Sequence, residues 1–405
     1  MLVTLAWRNV WRNRLRSFIM MASMIFGLFG VVLMVGLVRA MTVNMVENAI
    51  KYQTAHLQIH NPGFMVNEEL AAWLPEADRL ADAIRALPGV AAVAVRQVVN
   101  GMMASAATTR GVRIHGIDMK QEAQVTAVAD SLVAGELLSE KGRNPILISK
   151  RSAKKLNLRI GSKVVLTFSD MNGDVSGAAF RVTGMFNTPN SGFDEANIFI
   201  RHRDLAKLSG IDQAHEIAIR LVDGDSLEQM KLLFVGMTGE GGQVRDWGEI
   251  QPMLATMTGT MDISNTIMIA VFVLALGFGI VNIMLMSVFE RSREFGMLMA
   301  IGMTGSGVLR LVILESFLLG SVGGLIGLAA SSLMIFITGR VGLPFGVMAE
   351  GMGVYGLDTV LYPEVNLATY LSTFMMLVVT SIMAALYPAR QILKKNLSEA
   401  LSEKH

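Results

Sequence analysis

Four stretches of the chain are apolar at nearly every position. Residues 18–38, 263–289 and 367–386 carry no charge, and residues 311–337 carry one, Glu315. A bilayer core about 30 Å thick needs about 20 apolar residues at 1.5 Å rise per residue. A charge at a helix centre costs about 2.5–3.5 kcal/mol on insertion scales. All four runs therefore read as membrane-spanning helices. The first also has the basic start of a signal peptide and small residues around Val38-Arg39-Ala40. Its apolar stretch exceeds the 7–15 residues of a signal h-region, which favours an uncleaved anchor.

Between the first and second runs the pattern changes to short alternating segments. Residues 41–52 continue the first helix as a stalk. Residues 55–60 alternate as a strand and end at the turn signal Asn61-Pro62-Gly63. Residues 75–87 have helical spacing, stopped by Pro88-Gly89. Strands are expected over 90–99, 146–149, 163–169, 179–186, 196–200 and 216–221. Asn172-Gly173 reads as a hairpin tip. A helix over 226–235 and a return strand over 244–250 close the region. Residues 39–262 thus form an α+β domain, mixed in character and interrupted by a smaller β-rich subdomain.

Lys and Arg near the spans set the orientation. Arg8, Arg12, Arg14 and Arg16 precede the first span, and Arg291, Arg293 and Arg310 lie between the second and third. Arg390, Lys394, Lys395 and Lys404 follow the fourth. Between the third and fourth, Arg340 stands against Glu350, Asp358 and Glu364. Both termini are expected in the cytoplasm, and residues 39–262 and 338–366 outside. Residues 1–17 suit an interfacial helix, in which Leu5, Val10 and Trp11 share an apolar face bordered by Trp7.

Composition agrees and excludes several classes. Of 405 residues, 52% are hydrophobic and 17% charged, against about 25% charged in a soluble domain. A net charge of +2, from 35 basic and 33 acidic residues, is too balanced for a nucleic-acid polyelectrolyte. No cysteine is present, which removes disulfides, thiolate metal sites and cysteine nucleophiles. No P-loop occurs, since Gly161-Ser162-Lys163 lacks the preceding glycine and loop. No Gly-x-Ser-x-Gly elbow occurs either. His56 and His60 alternate onto one strand face, but no further ligand follows at metal spacing, so ordinary packed histidines are the simpler reading. Met284 and Met286 read as apolar filler.

The segment 290–303, Glu-Arg-Ser-Arg-Glu-Phe-Gly-Met-Leu-Met-Ala-Ile-Gly-Met, is charged, amphipathic and short. By itself it is a positive linker with helical character, or a stiff helix able to take force from a partner. With a Glu inside the next span, it resembles the FtsX-like permease family, the membrane subunits of MacB-type ABC transporters. The matching residues are Glu290, Arg291, Arg293, Glu294, Gly296, Ala300, Gly302 and Glu315, with Gly323, Gly324 and Gly327 in the glycine-rich third span. Tyr387-Pro388-Ala389-Arg390 and the residues to Leu401 resemble the family's C-terminal signature, and residues 6–13 its N-terminal helix.

The resemblance implies four transmembrane helices plus a MacB-like periplasmic core with a β-rich subdomain, in a bacterial inner membrane. Residues 290–307 then form an ATPase-coupling helix. The chain is no enzyme and holds no cofactor; ATP is bound by a partner ABC ATPase subunit. Other implied partners are a second permease copy or paralogue, membrane lipids, and lipoproteins or a periplasmic adaptor. The Gln53–Gly63 stretch and the stand-alone permease architecture resemble the Lol-type branch, which releases lipoproteins. The other branches are MacB-type efflux and FtsX-like regulation of a cell-wall hydrolase without transport. In Lol permeases a longer hairpin, at the position of residues 169–178, hooks a lipoprotein chaperone; here it is short and without proline.

Glu315 lies about 7 Å inside its span and is expected to pair with an arginine or a backbone group; a proton relay would need further ionisable residues in the spans. Gly320-x-x-x-Gly324 and Gly323-x-x-x-Gly327 form a ridge that suits close helix packing, within one chain or across a dimer seam.

Overall fold

A computed structural model of the protein describes residues 2–12, 14–106, 108–346 and 349–394. Their contacts divide the chain into two compact units: Met1–Thr42, Gly259–Pro344 and Val360–His405 form one, and Val43–Thr258 with Phe345–Thr359 the other.

The helical unit is built on the four apolar runs. Among the described residues, four helices are long and apolar enough to cross a membrane: Ser17–Thr54, Pro252–Glu290, Gly305–Val341 and Leu367–Gln391. Each contains its predicted span and extends beyond it, because backbone hydrogen bonding continues past the end of the apolar stretch. Pro252 opens its helix at the first position, where a missing N–H costs nothing. The fourth helix was expected to close at Tyr387-Pro388, yet it runs to Lys394 with Pro388 inside it. Ala384, Ala385 and Ala389 are buried around that proline, so packing holds the turn together despite the lost donor. The part of the C-terminal signature from Lys395 onward lies outside the described residues.

The glycines of the third span decide its packing. Cβ atoms added at Gly323 and Gly327 would stand 3.5 Å from Met21 Cα and 3.3 Å from Ile25 Cα of the first helix. At Gly324 a Cβ would press on the Phe374 ring of the fourth helix at 2.8 Å, and at Gly320 on Ser381. Ser316 Oγ donates to the Ser381 carbonyl at 2.8 Å beside them. The ridge therefore serves packing within the chain, on two faces, and lets backbones approach closely. Gly327→Leu is expected to destabilise the detergent-solubilised protein by about 1–3 kcal/mol through overpacking. Gly279→Ala, at a position with no neighbour within 4 Å, should leave thermal unfolding unchanged; equal melting of the two variants would contradict this packing.

In the second unit, ten strands form one sheet among the described residues: β1 (Leu57–His60), β2 (Val90–Ala104), β3 (Thr109–Ile117), β4 (Leu132–Gly135), β5 (Pro145–Ser149), β6 (Lys163–Ser169), β7 (Val175–Phe186), β8 (Asn197–Arg201), β9 (Glu216–Leu221) and β10 (Gln243–Asp246). The order is β10-β1-β9-β2-β3-β8-β5-β7-β4, with β6 pairing to β2 and β7. Pairs β3–β8 and β5–β7 are parallel. The expected mixed and β-rich subdomains share this sheet, because the long β2 pairs with β9 in one half and with β6 in the other. Each half keeps its own core. One gathers Leu57, Ile59, Ile84, Ile217 and Phe234; the other gathers Met103, Ile146, Leu166, Phe180 and Ile198.

Two local differences have clear causes. The return strand expected over 244–250 stops at Asp246, which caps the helix Trp247–Ile250 in a capping box with Glu249. Residues 345–359, between the third and fourth spans, join this unit: Asn44 Nδ2 donates to Asp358 at 2.7 Å, and Asn48 Nδ2 to the Gly356 carbonyl at 2.8 Å. The hairpin tip is confirmed. Ser169 pairs with Val175, Gly173 adopts φ +82°, and Asp170 Oδ1 accepts from the Asn172 and Asp174 N–H groups.

Candidate functional site

The chain breaks between the second and third spans at Arg291, and a short helix, Ser292–Ala300, follows. It is narrower than the 290–307 expected, and its end is specified locally. Gly302 sits at φ +103°. Its N–H donates to Met299 O at 3.1 Å, and Met303 N–H reaches back to Leu298 O at 3.0 Å. This is a Schellman stop, which a glycine makes without steric cost. Thr304 then caps the third span through Gly307 N–H.

The short helix has two faces. Ser292, Phe295 and Gly296 are buried. Arg293, Met297, Ala300 and Ile301 are exposed at helical spacing, Ile301 at 84%. Two large apolar side chains beside an arginine on an exposed face suit a protein partner better than water.

A chain of polar contacts anchors the buried side. Arg291 Nη1 donates to Glu315 Oε2 at 2.9 Å, and Arg291 Nε to Glu294 Oε2 at 2.9 Å. The other Glu315 oxygen accepts from Asn9 Nδ2 at 2.7 Å. Arg12 pairs with Glu294. The Arg291 guanidinium also lies 5.2 Å from the Phe295 ring centroid. Burial works against the Arg291 charge, but Glu315 and Glu294 outweigh it and hold the group more firmly protonated than usual. Burial likewise opposes the Glu294 charge, and hydrogen bonds from Arg12 and Arg291 hold that carboxyl below the ordinary range. A cavity of about 360 Å³ adjoins these groups, lined also by Glu290 and Ser17.

The expected arginine partner of Glu315 is thus Arg291. Of the residues singled out in sequence, the structure joins Arg291, Glu294 and Glu315 in one network and Gly296 to the buried face of the same helix. Arg293, Ala300 and Gly302 lie on the exposed side or at the helix end. The glycines of the third span pack elsewhere, against the first and fourth helices.

Sequence reasoning missed Asn9 and Arg12, which bring the N-terminal helix Leu2–Arg12 into the network. Their spacing of three residues on one helix is the signal that was available. The apolar face of that helix also differs from expectation. Ala6 and Val10 are buried, whereas Trp11 is exposed and stacks edge-on with Trp7 at 5.8 Å. Asn9 joins Ala6 and Val10 on the inward side, and the larger aromatics lie outside.

A second buried polar cluster lies in the sheet unit. Arg96 of β2 donates to both Glu122 oxygens at 2.8 Å and pairs with Glu216 of β9. His60 Nε2 stands 3.4 Å from the other Glu216 oxygen, and its ring stacks on Phe64 at 5.7 Å. His56 is engaged separately, its Nδ1 accepting from Leu221 N–H at 3.3 Å. The two histidines do not converge, and no metal-holding group of His, Asp and Glu occurs among the described residues.

Residues 17–232 match the family described as MacB-like periplasmic core domain, and residues 266–397 match FtsX-like permease C-terminal. The chain belongs to the FtsX-like, MacB-type permease family. It is an ABC transporter permease. Among curated relatives of this permease, the lipoprotein-releasing system transmembrane protein LolC of Xylella fastidiosa (strain 9a5c) is 25% identical over 306 residues, which are 71% of this chain and 72% of that one. The macrolide export ATP-binding/permease protein MacB of Shewanella sp. (strain ANA-3) is 26% identical over 360 residues, covering 82% of this permease and 52% of that protein. Among solved structures, the periplasmic region of MacB from Actinobacillus actinomycetemcomitans covers 52% of this chain and 97% of its own, at 14% identity and a TM-score of 0.37.

Proposed function

We propose that this permease transmits ATP-driven motion from a separate ABC ATPase to its sheet domain, and that it serves lipoprotein release from the inner membrane. The carrying observation is the two-faced helix Ser292–Ala300. Its outer face offers Arg293, Met297 and Ile301 to a partner, and its inner face is tied through Arg291 to Glu315 of the third span. A push on such a helix moves the span with it through the low-exposure Arg291–Glu315 ion pair, and the N-terminal helix through the Asn9–Glu315 hydrogen bond and the more exposed Arg12–Glu294 pair. In this reading the termini and the short helix face the cytoplasm and the sheet domain lies outside. ATP stays on the partner, and the permease works as a pair with a second copy or a paralogue.

The similarity to LolC supports lipoproteins as the cargo. One observation favours the second reading, MacB-type efflux or FtsX-like force transmission: the β6–β7 turn at residues 170–174 is closed by its own hydrogen bonds and presents no extended hook.

Two measurements test the proposal. The permease, purified in detergent from its native membrane, should carry an ATPase and acylated lipoproteins by mass spectrometry. An ATPase with an adaptor or a cell-wall hydrolase, and no lipoprotein, would move the assignment to the second reading. Arg293→Glu reverses charge on the outer face, and Gly302→Pro removes a donor and requires a φ far from +103°. Both should abolish substrate-stimulated ATP turnover while the complex still assembles. Unchanged stimulation in both would refute coupling through this helix.

A further inference from the structure

The sheet unit contains a cavity of about 540 Å³, within the usual range for small-ligand sites. Three kinds of group line it. Arg151 Nε is shut off from solvent without a hydrogen-bond partner among the described residues, and the guanidinium charge acts on the buried Asp194 carboxyl. Tyr52 and Asn187 add a hydroxyl and an amide, and Asp130 and Asp358 add two carboxylates. One Asp358 oxygen is already held by Asn44 Nδ2 at 2.7 Å. Gly353 keeps the guanidinium uncovered, since a Cβ there would stand 3.3 Å from Arg151 Nη2.

The charges define the ligand. A simple anion would meet two carboxylates, and a simple cation would meet the guanidinium charge. A ligand carrying both signs satisfies both walls. Three donors (Arg151, Tyr52 and Asn187) can be matched by the three terminal oxygens of a phosphomonoester, or by the two non-bridging and the ester oxygens of a phosphodiester, whereas a carboxylate offers two oxygens. We propose that this cavity binds a phosphoethanolamine group, its phosphate held by Arg151 and its ammonium by Asp130 and Asp358. A phospholipid head and a soluble phosphomonoester both present that chemistry.

The test uses the full chain in lipid nanodiscs or detergent and reads thermal unfolding. Phosphatidylethanolamine should raise the midpoint by about 5 °C at a hundredfold excess over Kd. Phosphatidylglycerol lacks the ammonium and phosphatidylcholine lacks its N–H donors, so both should give much smaller shifts. Arg151→Met and Asp130→Asn should each weaken binding about tenfold, the value of one lost charged contact. Asp130 is exposed, so its substitution tests binding without threatening the fold. An equal shift with soluble phosphoethanolamine identifies the free group as the ligand, whereas a shift confined to the lipid identifies the membrane head. Equal shifts with phosphatidylglycerol and phosphatidylethanolamine, or a phosphatidylethanolamine shift unaltered in both variants, would overturn the assignment.

Discussion

Arg291→Leu is expected to lower the stability of the solubilised permease by roughly 3–5 kcal/mol, the usual result of removing one partner from a buried ion pair. The reason lies in what remains. Glu315 is 7% exposed and keeps, among the described residues, only the Asn9 amide as a hydrogen-bond donor. Glu294 keeps Arg12, so the damage concentrates on the span. Much of the loss is the cost of an unpaired buried charge, so the double variant Arg291→Leu with Glu315→Leu should recover most of it. Thermal or denaturant unfolding of the four proteins of this cycle measures the coupling directly. A double variant as unstable as Arg291→Leu alone would show that packing, and not charge pairing, dominates here. In the proposed function the double variant should also be folded yet uncoupled. That outcome separates the structural role of the pair from its mechanical one.

Arg96→Met is expected to destabilise the sheet unit by a similar amount, about 3–5 kcal/mol at neutral pH, and to invert its response to acid. Arg96 is 3% exposed and lies between Glu122 and Glu216, themselves 1% and 2% exposed. Burial alone would push the Glu216 carboxyl up; Arg96 and the hydrogen bond from His60 outweigh it and hold the group well below its ordinary value of 4.5. A depressed carboxyl contributes stability above its unfolded value and loses it as pH falls through the folded one. The native protein should therefore weaken as the pH drops below about 4.5. In Arg96→Met the desolvated Glu216 favours its neutral form, so acidification from neutral pH should raise stability instead. Unfolding midpoints across pH 3–8 read both slopes, and parallel curves for the two proteins would contradict the charge cluster.

The legibility of this protein follows the range of each interaction. The four spans were plain because burial in lipid demands about 20 consecutive apolar residues, and no tertiary information is needed to see them. The strands over 163–169 and 216–221 were equally plain, since alternation and turn signals are local. The helix stop at Gly302 rests on a local backbone preference, yet the helix expected over 290–307 ran through it. The strand expected beyond Asp246 failed because the four-residue capping box Asp246–Glu249 turns the chain into a helix there.

Beyond the expected pairing of Glu315 with an arginine, the polar network was out of reach for the opposite reason. Asn9 and Glu315 are separated by 306 positions, and Arg12 and Glu294 by 282. Nothing in either neighbourhood specifies the other. Arg96, Glu122 and Glu216 look like three ordinary charged residues until the sheet brings β2 and β9 together. The glycine ridge was visible, but whether it meets its own chain or another depends on which backbones approach it. By itself, then, the sequence determined the membrane spans, the family and the helix between the second and third spans. Only the tertiary structure decided what that helix holds, because charge pairs across hundreds of residues are set by packing and leave no pattern in the chain.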